Sequence, residues 1–227
     1  ATGGFSTRDA SIGYYDSLTI EAIIIVFMFV GGINFTLIWF LIAREFMKAF
    51  SDEEFKTYLV YIFTAVLFMM VALISTNISP TDSLRQSLFQ AISIGTSTGY
   101  TTQDYTTWPV ITQFVLMILM IVGACAGSTS GGLKLMRIIL AFKVAMRELV
   151  RIAQPRKIKQ IRMNGEVVEP QQIDKIVGML FVWIGLFGIA SILLAILMLD
   201  ESFESIIGIT ASSLGNTGPA LGSYGPS

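Results

Sequence analysis

Residues 94–104 form a polar, glycine-rich segment that could bind a cation through backbone oxygens alone. The segment reads Ile-Gly-Thr-Ser-Thr-Gly-Tyr-Thr-Thr-Gln-Asp and lies between apolar runs at 55–75 and 109–122. It is too polar for a membrane helix, and backbone exposed to lipid costs on the order of several kcal/mol per unsatisfied group, so protein or water must line it. Glycine-rich backbone can turn its carbonyl oxygens toward a cavity, where they replace the water around a cation. The segment therefore predicts an ion pore.

The same pattern recurs twice in the chain. Residues 4–9 share with residues 99–104 the order glycine, aromatic, hydroxyl, threonine, any residue, aspartate. Residues 216–218 repeat the pattern of 97–99, with asparagine in place of serine. Internal repeats in a membrane protein commonly build one site on a shared axis. The alternative, three unrelated glycine-rich outer loops, does not explain why a short helical stretch precedes the loop.

Composition argues for a membrane protein and against most enzymes. Hydrophobic residues make up 53% of the 227 residues and charged residues only 14%, which is far more apolar than a typical soluble domain. The chain has one cysteine, Cys125, and no histidine, which excludes an internal disulfide and a histidine metal site or base. The sequence has no phosphate-loop, dinucleotide or serine-hydrolase motif, so we predict no enzymatic activity. A net charge of −1 gives no support to a nucleic-acid partner.

Three apolar stretches are long enough to cross a hydrocarbon core of roughly 30 Å. They cover residues 18–43, 55–75 and 173–199. We expect the first to be one continuous helix in which Gly31, Gly32 and Asn34 allow close helix packing. Two shorter stretches, 84–94 and 202–213, lead directly into motif loops and are too short to cross, so we expect half-helices that enter and return. A helix lying on the outer surface is the alternative.

Residues 109–152 have a helical pattern that is too long for one span, since a helix of this length would extend roughly 66 Å. The interruption is Gly-Ala-Cys-Ala-Gly-Ser-Thr-Ser-Gly-Gly at 123–132. Paired glycines and exposed hydroxyls favour a break, and its depth favours a flexible loop that obstructs a conduction path. The alternative is a continuous helix in which Gly123, Gly127 and Gly131 form a small-residue packing stripe.

Charge distribution predicts the orientation in the membrane. Of the 15 Lys and Arg residues, only Arg8 and Arg85 lie in loops near the repeated motif, so by the positive-inside rule these loops face outward. On the opposite side, residues 156–168 form a predicted cytoplasmic hairpin with an Asn164-Gly165 type I′ turn. The hairpin and the preceding helix carry a basic patch of Lys143, Arg147, Arg151, Arg156, Lys157, Lys159 and Arg162. The patch suits either anionic lipid or a protein partner.

These motifs resemble a known family, the membrane subunit of the Trk/Ktr/HKT potassium-uptake superfamily, and most closely its bacterial TrkH type. The resemblance runs nearly from end to end. It implies an all-α polytopic membrane protein in which units of helix, re-entrant pore loop and helix repeat around an ion pore. It also implies potassium as the transported ion, no covalent cofactor, and one filter glycine from each unit. The residues that carry it are 2–7, 98–102 with Trp108-Pro109, 123–134 and 214–219.

The resemblance carries over onto specific residues. The filter glycines are Gly4, Gly99 and Gly218, and Thr98, Gly99, Thr217 and Gly218 form the centre of the predicted metal site. We predict that potassium is coordinated by backbone carbonyls of Thr2, Gly3, Gly4, Ser97, Thr98, Gly99, Asn216, Thr217 and Gly218. The predicted gate consists of Gly123, Gly127, Ser128, Thr129, Ser130, Gly131, Gly132 and Lys134.

Four segments follow from the same resemblance. We expect residues 1–43 to end a second repeat, 44–152 to form a third, 153–172 to be a cytoplasmic hairpin linker, and 173–227 to start a fourth. About half of the family's chain is then missing, so we expect this sequence to be a piece of a longer polypeptide. The family implies a multi-pass protein of the bacterial inner (plasma) membrane, a homodimer, and a cytosolic nucleotide-binding regulatory subunit of the TrkA type.

Two other functions stay open. A sodium-permeable cation transporter of the same superfamily differs in its first filter segment, which this sequence lacks. A non-transporting membrane scaffold subunit would use the glycine-rich loops for packing only. Symport with protons or sodium is likewise left open.

Overall fold

The computed structural model describes residues 2–154 and 160–226, and in these residues the fold is helical apart from one short hairpin. The predicted all-α class is confirmed. Two helices, Glu53–Ile74 and Pro170–Leu197, are long and apolar enough to span a membrane, and the bent pair Leu18–Gly31 and Phe35–Ile42 would add a third if it is one span. The helices are α1 Leu18–Gly31, α2 Phe35–Ile42, α3 Phe46–Ser51, α4 Glu53–Ile74, α5 Pro80–Gly95, α6 Val110–Val122, α7 Leu135–Ala153, α8 Pro170–Leu197 and α9 Phe203–Gly215. Short 3-10 turns cover Ser11–Tyr15, Tyr105–Thr107 and Gly222–Tyr224, and the strands are β1 Arg162–Met163 and β2 Glu166–Val167.

The prediction of one continuous helix over residues 18–43 is wrong. Helix α1 ends at Gly31 and α2 begins at Phe35, with an angle of 106° between them. Asn34 starts the second helix, because its side-chain oxygen accepts a hydrogen bond from the Thr36 N–H at 2.9 Å. An N-cap of this kind stabilises a new helix start.

The break is held by partners from a distant part of the chain. The carbonyls of Gly31 and Gly32 accept hydrogen bonds from the backbone N–H groups of Thr129 and Cys125, each at 3.2 Å. Sequence patterning missed the break because these partners lie almost a hundred residues away. The break between α1 and α2 is therefore hydrogen-bonded to the interruption at 123–134.

Helices α5 and α9 are the predicted half-helices. Ser79 caps α5 by accepting from the Asp82 N–H, and Pro80 follows at the first helical position, where it needs no donor partner. Ser202 caps α9 in the same way by accepting from the Ser205 N–H at 3.2 Å. At 16 and 13 residues, they extend roughly 24 and 20 Å, short of a membrane core.

Helix α5 lies in the centre of the described structure. It packs against α1, α4 and α6, and every residue from Phe89 to Gly95 is buried. Its apolar neighbours are fully buried side chains of α4 and α6, namely Tyr58, Met69, Leu73, Leu116 and Leu119. Helix α8, in contrast, is mostly exposed, and Ile173 is the one residue of this helix that is buried. The core therefore surrounds one half-helix and fixes the position of the loop after it.

The predicted hairpin is present at residues 162–167. Arg162 pairs with Val167, and Met163 with Glu166. Asn164 and Gly165 have φ values of 51° and 84°, so both central residues are left-handed, as a type I′ turn requires. The basic residues Arg156, Lys157 and Lys159 lie outside the described residues.

Candidate functional site

The loops after α5 and α9 have the same backbone geometry. Ser97 and Asn216 occupy equivalent positions and are both left-handed, with φ values of 54° and 50°. The next residue donates back to the helix in each case, from the Thr98 N–H to the Ser93 carbonyl at 2.8 Å and from the Thr217 N–H to the Ser212 carbonyl at 2.9 Å. The sequence repeat at 97–99 and 216–218 is thus a repeat of structure.

A buried serine side chain supports each loop. The Ser93 hydroxyl donates to the Tyr100 carbonyl at 2.6 Å. The Ser212 hydroxyl donates to the Gly218 carbonyl at 3.0 Å and accepts from the Gly218 N–H at 3.1 Å. The sequence analysis assigned these two serines no role. Their role is to brace the turn from inside the half-helix.

The three motif copies, at residues 2–4, 97–99 and 216–218, contact one another through their backbones and together form one cluster. The Gly3 N–H donates to the Ser97 carbonyl at 3.3 Å, and the Gly4 N–H to the Thr98 carbonyl at 2.9 Å. A Cβ atom placed on Gly99 would lie 2.0 Å from the Thr217 carbonyl oxygen. The approach is therefore possible only because residue 99 has no side chain.

The three glycines predicted to form the filter also have backbone conformations that favour glycine. The φ values are 69° at Gly4, 80° at Gly99 and 109° at Gly218, a region that other residues rarely adopt. A Cβ atom on Gly218 would lie 2.5 Å from the Gly3 carbonyl oxygen. Asn216 lies on the rim of this cluster, with its side-chain oxygen 3.7 Å from a Cβ placed on Gly3. Thr2, half-buried, precedes the cluster without a specific hydrogen bond among the described residues.

Three of the predicted coordinating carbonyls already accept hydrogen bonds. Those of Ser97 and Thr98 accept from the N–H groups of Gly3 and Gly4, and that of Gly218 accepts from the Ser212 hydroxyl. A carbonyl oxygen has two lone pairs, so each keeps one further acceptor position. The Thr217 hydroxyl is fully buried and has no hydrogen-bond partner among the described residues. The cluster is rich in oxygen atoms and contains no side-chain charge.

Residues 123–134 interrupt the helix between α6 and α7. The chain doubles back, so that the N–H groups of Leu133 and Lys134 donate to the carbonyls of Ile121 and Val122 at 3.0 and 2.9 Å. Because these residues form no helix, the alternative of a small-residue stripe on a continuous helix is wrong. The predicted break is confirmed.

This interruption contacts the cluster formed by the motif copies directly. The Gly131 N–H donates to the Ser97 hydroxyl at 3.1 Å, and a Cβ atom on Gly131 would lie 2.0 Å from the Gly215 carbonyl oxygen. The Lys134 side chain folds back over the loop. Its ammonium group donates to the Ser128 carbonyl at 3.3 Å, the Ser130 hydroxyl at 3.1 Å and the Ser130 carbonyl.

Two buried carboxylates near the site were not identified from the sequence as site residues. Glu54, at the start of α4, accepts hydrogen bonds from the N–H groups of Ala126 at 2.6 Å and Met136 at 3.0 Å. Glu21, near the start of α1, binds Arg85 of α5 through two hydrogen bonds of 2.7 and 2.8 Å. Each is only 3% exposed. A carboxylate at the start of an apolar helix usually serves the helix dipole, so the sequence alone carries no signal for these contacts.

Replacing Gly131 with alanine should destabilise the contact between the loop at 123–134 and Gly215 at the end of α9. The new methyl group would meet the Gly215 backbone, and overpacking of this kind costs about 1–3 kcal/mol. We expect a lower thermal midpoint for the purified full-length protein carrying Gly131→Ala. Gly178→Ala is the matched control, since a Cβ there meets nothing within 4 Å. Equal midpoints for both variants would contradict the contact.

The whole chain matches one family model. Residues 1–227 match the TrkH family, described as a cation transport protein. The chain is 36% identical to the Trk system potassium uptake protein TrkH of Escherichia coli K12, over 98% of this chain and 46% of that protein. It is 35% identical to the TrkH protein of Vibrio parahaemolyticus, with the same coverage.

A solved structure agrees with these relatives. The crystal structure of the potassium transporter TrkH from Vibrio parahaemolyticus aligns with a TM-score of 0.89 at 33% identity, over 97% of this chain and 48% of that one. This chain thus spans about half the length of the relatives it matches. The chain belongs to the TrkH family of cation transport proteins.

Proposed function

We propose that the protein carrying this chain takes up potassium ions across the membrane through a filter lined by backbone carbonyls. The observation that carries the proposal is the meeting of three glycine-rich motif copies at the ends of two half-helices. Relatives named as potassium uptake proteins support the choice of ion. Charge-free rings of carbonyl oxygens are what potassium-selective filters use to replace water around the ion.

The proposed ligands are the backbone carbonyls of nine residues in the cluster. Helices α5 and α9 end at this cluster, and the partial negative charge of a helix C-terminus favours a cation there. In this proposal the Ser97, Thr98 and Gly218 carbonyls, which already accept one hydrogen bond each, bind the ion through their second lone pair. The nine residues are Thr2, Gly3, Gly4, Ser97, Thr98, Gly99, Asn216, Thr217 and Gly218.

A further filter segment would come from the half of the relatives that this chain does not match. In the full-length protein, that segment would complete the ring of carbonyls. We propose the same repeat boundaries as the sequence predicts, at 1–43, 44–152, 153–172 and 173–227. Potassium is the cargo of this site and needs no covalent cofactor.

We propose that residues 123–134 act as the gate. Gly131 lies against both Ser97 and Gly215, directly beside the filter cluster. The loop is held by hydrogen bonds and by Lys134, which gives it a defined closed position that a rearrangement could release. The other proposed gate residues are Gly123, Gly127, Ser128, Thr129, Ser130 and Gly132.

The location and partners are proposals of the same kind. The apolar helices α4 and α8 suit the bacterial inner membrane, with the filter loops outward and the hairpin cytoplasmic. We propose that the full-length protein forms a homodimer and that the hairpin docks a cytosolic nucleotide-binding regulatory subunit. The hairpin supports this proposal because it offers a partner a backbone surface of defined shape. A small buried cluster of Leu140, Ile161, Met163 and Ile173 holds the hairpin in place.

Replacing Gly99 with serine should reduce selectivity. Its φ of 80° disfavours a side chain, and a Cβ atom would meet the Thr217 carbonyl oxygen at 2.0 Å. The distorted ring should admit sodium, so the potassium-to-sodium permeability ratio of the full-length protein in liposomes should fall. Gly178→Ser, which has open space around it, is the control.

This experiment also separates the alternative functions. An unchanged ratio in Gly99→Ser would remove Gly99 from the filter. A wild-type protein that passes sodium as readily as potassium would favour the sodium-permeable transporter. Absence of ion flux in the wild-type protein would favour the scaffold.

Deleting residues 128–130 should raise ion flux. The deletion removes the hydroxyls and carbonyls that hold Lys134, so the loop can no longer keep its obstructing position. The measurement is unregulated potassium flux in liposomes, normalised to the amount of inserted protein. If the loop serves packing alone, the deletion should instead impair assembly and lower the flux.

Replacing residues 160–168 with a flexible linker should weaken capture of the regulatory subunit and leave membrane insertion intact. The linker has no fixed backbone for the partner to bind. Capture is measured by copurification, and insertion by membrane fractionation. Arg147→Ala with Arg151→Ala is the comparison, because it removes basic charge and keeps the hairpin. Normal capture by the linker variant would favour the lipid interpretation of the basic patch.

A further inference from the structure

Three consecutive carboxylates begin helix α4, and each one contacts a different element. Asp52 caps α4 by accepting from the Phe55 N–H at 2.8 Å, and its other oxygen accepts from the Asn164 side chain at 2.7 Å. Glu53 forms a salt bridge with Lys143 of α7. Glu54 points the other way and contacts the loop at 123–134.

One oxygen of Glu54 binds both the loop and the start of α7. The Oε1 atom accepts from the Ala126 N–H at 2.6 Å and from the Met136 N–H at 3.0 Å. Met136 lies in the first turn of α7, whose N-cap residue, Lys134, makes no side-chain cap hydrogen bond. Glu54 therefore supplies from another helix the acceptor that the start of α7 lacks.

The hairpin is joined to the same helix start. The Asn164 side-chain oxygen accepts from the Glu53 N–H at 2.8 Å while its amide group donates to Asp52. Lys143 also donates to the Arg162 carbonyl at 2.7 Å. The hairpin turn and the intramembrane loop are thus bonded to adjacent residues of one rigid helix.

We infer that Glu54 is the positioning residue of the loop at 123–134 and that the start of α4 links this loop to the hairpin turn at Asn164. The consequence for ion flux rests on the proposed function, in which the loop is the gate. The linkage itself does not depend on transport. The loop loosens when the Glu54 hydrogen bonds to Ala126 and Met136 are lost, or when the Asn164 hydrogen bonds to the start of α4 are lost. The reason is that a buried N–H group left without its acceptor favours any conformation that exposes it.

Cys125 offers a direct measure of loop position. It is fully buried and precedes Ala126, which Glu54 holds. The test is the rate at which N-ethylmaleimide modifies Cys125 in the purified full-length protein, followed by mass spectrometry of the peptide that contains it. Potassium flux of the same variants in liposomes is measured in parallel.

Three substitutions of Glu54 distinguish the effect of its side-chain oxygen's position from the effect of its charge. Glu54→Ala should raise the modification rate about tenfold or more, as expected when two buried donors lose their acceptor. Glu54→Gln should behave like the wild type, because the amide oxygen can take the place of Oε1. Glu54→Asp keeps the charge but is one methylene shorter, so it should raise the rate and provides the test if Glu54→Ala fails to fold. Glu45→Ala is the control, since the Glu45 carboxylate pairs only with Lys48 among the described residues.

The linkage to the hairpin is tested by a double-mutant cycle. Asn164→Gly removes the side chain and keeps a residue that tolerates the left-handed turn. It should raise the Cys125 rate when Glu54 is present and have little effect in the Glu54→Ala background. Equal increments in both backgrounds, or none in either, would overturn the linkage.

Two outcomes distinguish this inference from the proposed function. Wild-type Cys125 rates in both Glu54→Ala and Glu54→Asp would overturn the positioning role, whatever the flux. A raised Cys125 rate without a rise in flux would support the positioning role and count against the loop as a gate.

Discussion

The structure depends on satisfying the hydrogen bonds of irregular backbone within a helical membrane protein. The loop at 123–134 leaves a helix between two apolar segments, where no lipid group can replace its lost partners. Its N–H groups find acceptors in the broken helix at Gly31 and Gly32 and in the carboxylate of Glu54. The break between α1 and α2 and the interruption between α6 and α7 therefore support each other. Each break supplies hydrogen-bond partners to backbone groups that have no partner within the other helix.

The proposed filter cluster also contains irregular backbone, but its turns are held by hydrogen bonds from the helices that precede them. The half-helices α5 and α9 each end in a turn closed by a serine from their own last turns, Ser93 and Ser212. This local bracing leaves the glycine-rich segments free to pack against one another, where the absence of Cβ atoms at Gly99 and Gly218 permits contact between main chains. Glycine is needed here for two reasons together, its positive φ and its lack of volume. The proposed ion ligands are thus positioned by helices and not by their own side chains.

Charge lies mostly around this centre. Arg85 and Glu21 join α5 to α1 on the predicted outer side, while Asp52, Glu53 and Glu54 join α4 to three different elements on the predicted inner side. A pore for a dehydrated cation benefits from this separation, because a fixed charge at the filter would bind too tightly or repel. Lys134 is the exception, and its ammonium group is held by the oxygens of Ser128 and Ser130.

Four features could be predicted from the sequence, namely the helical class, the two half-helices, the interruption after Val122 and the Asn164-Gly165 turn. These features depend on local composition: apolar runs of given length, helix caps, paired glycines and residues that tolerate left-handed backbone. The repeat of 97–99 at 216–218 was also evident, because in both turns Thr-Gly follows a small polar residue with left-handed backbone, Ser97 or Asn216. Two features could not be predicted from the sequence, namely the bend of residues 18–43 before Asn34 and the hydrogen bonds by which Glu54 holds the loop. The partners in both cases are backbone groups far along the chain, and any residue could provide them, so they leave no mark in the pattern of side chains.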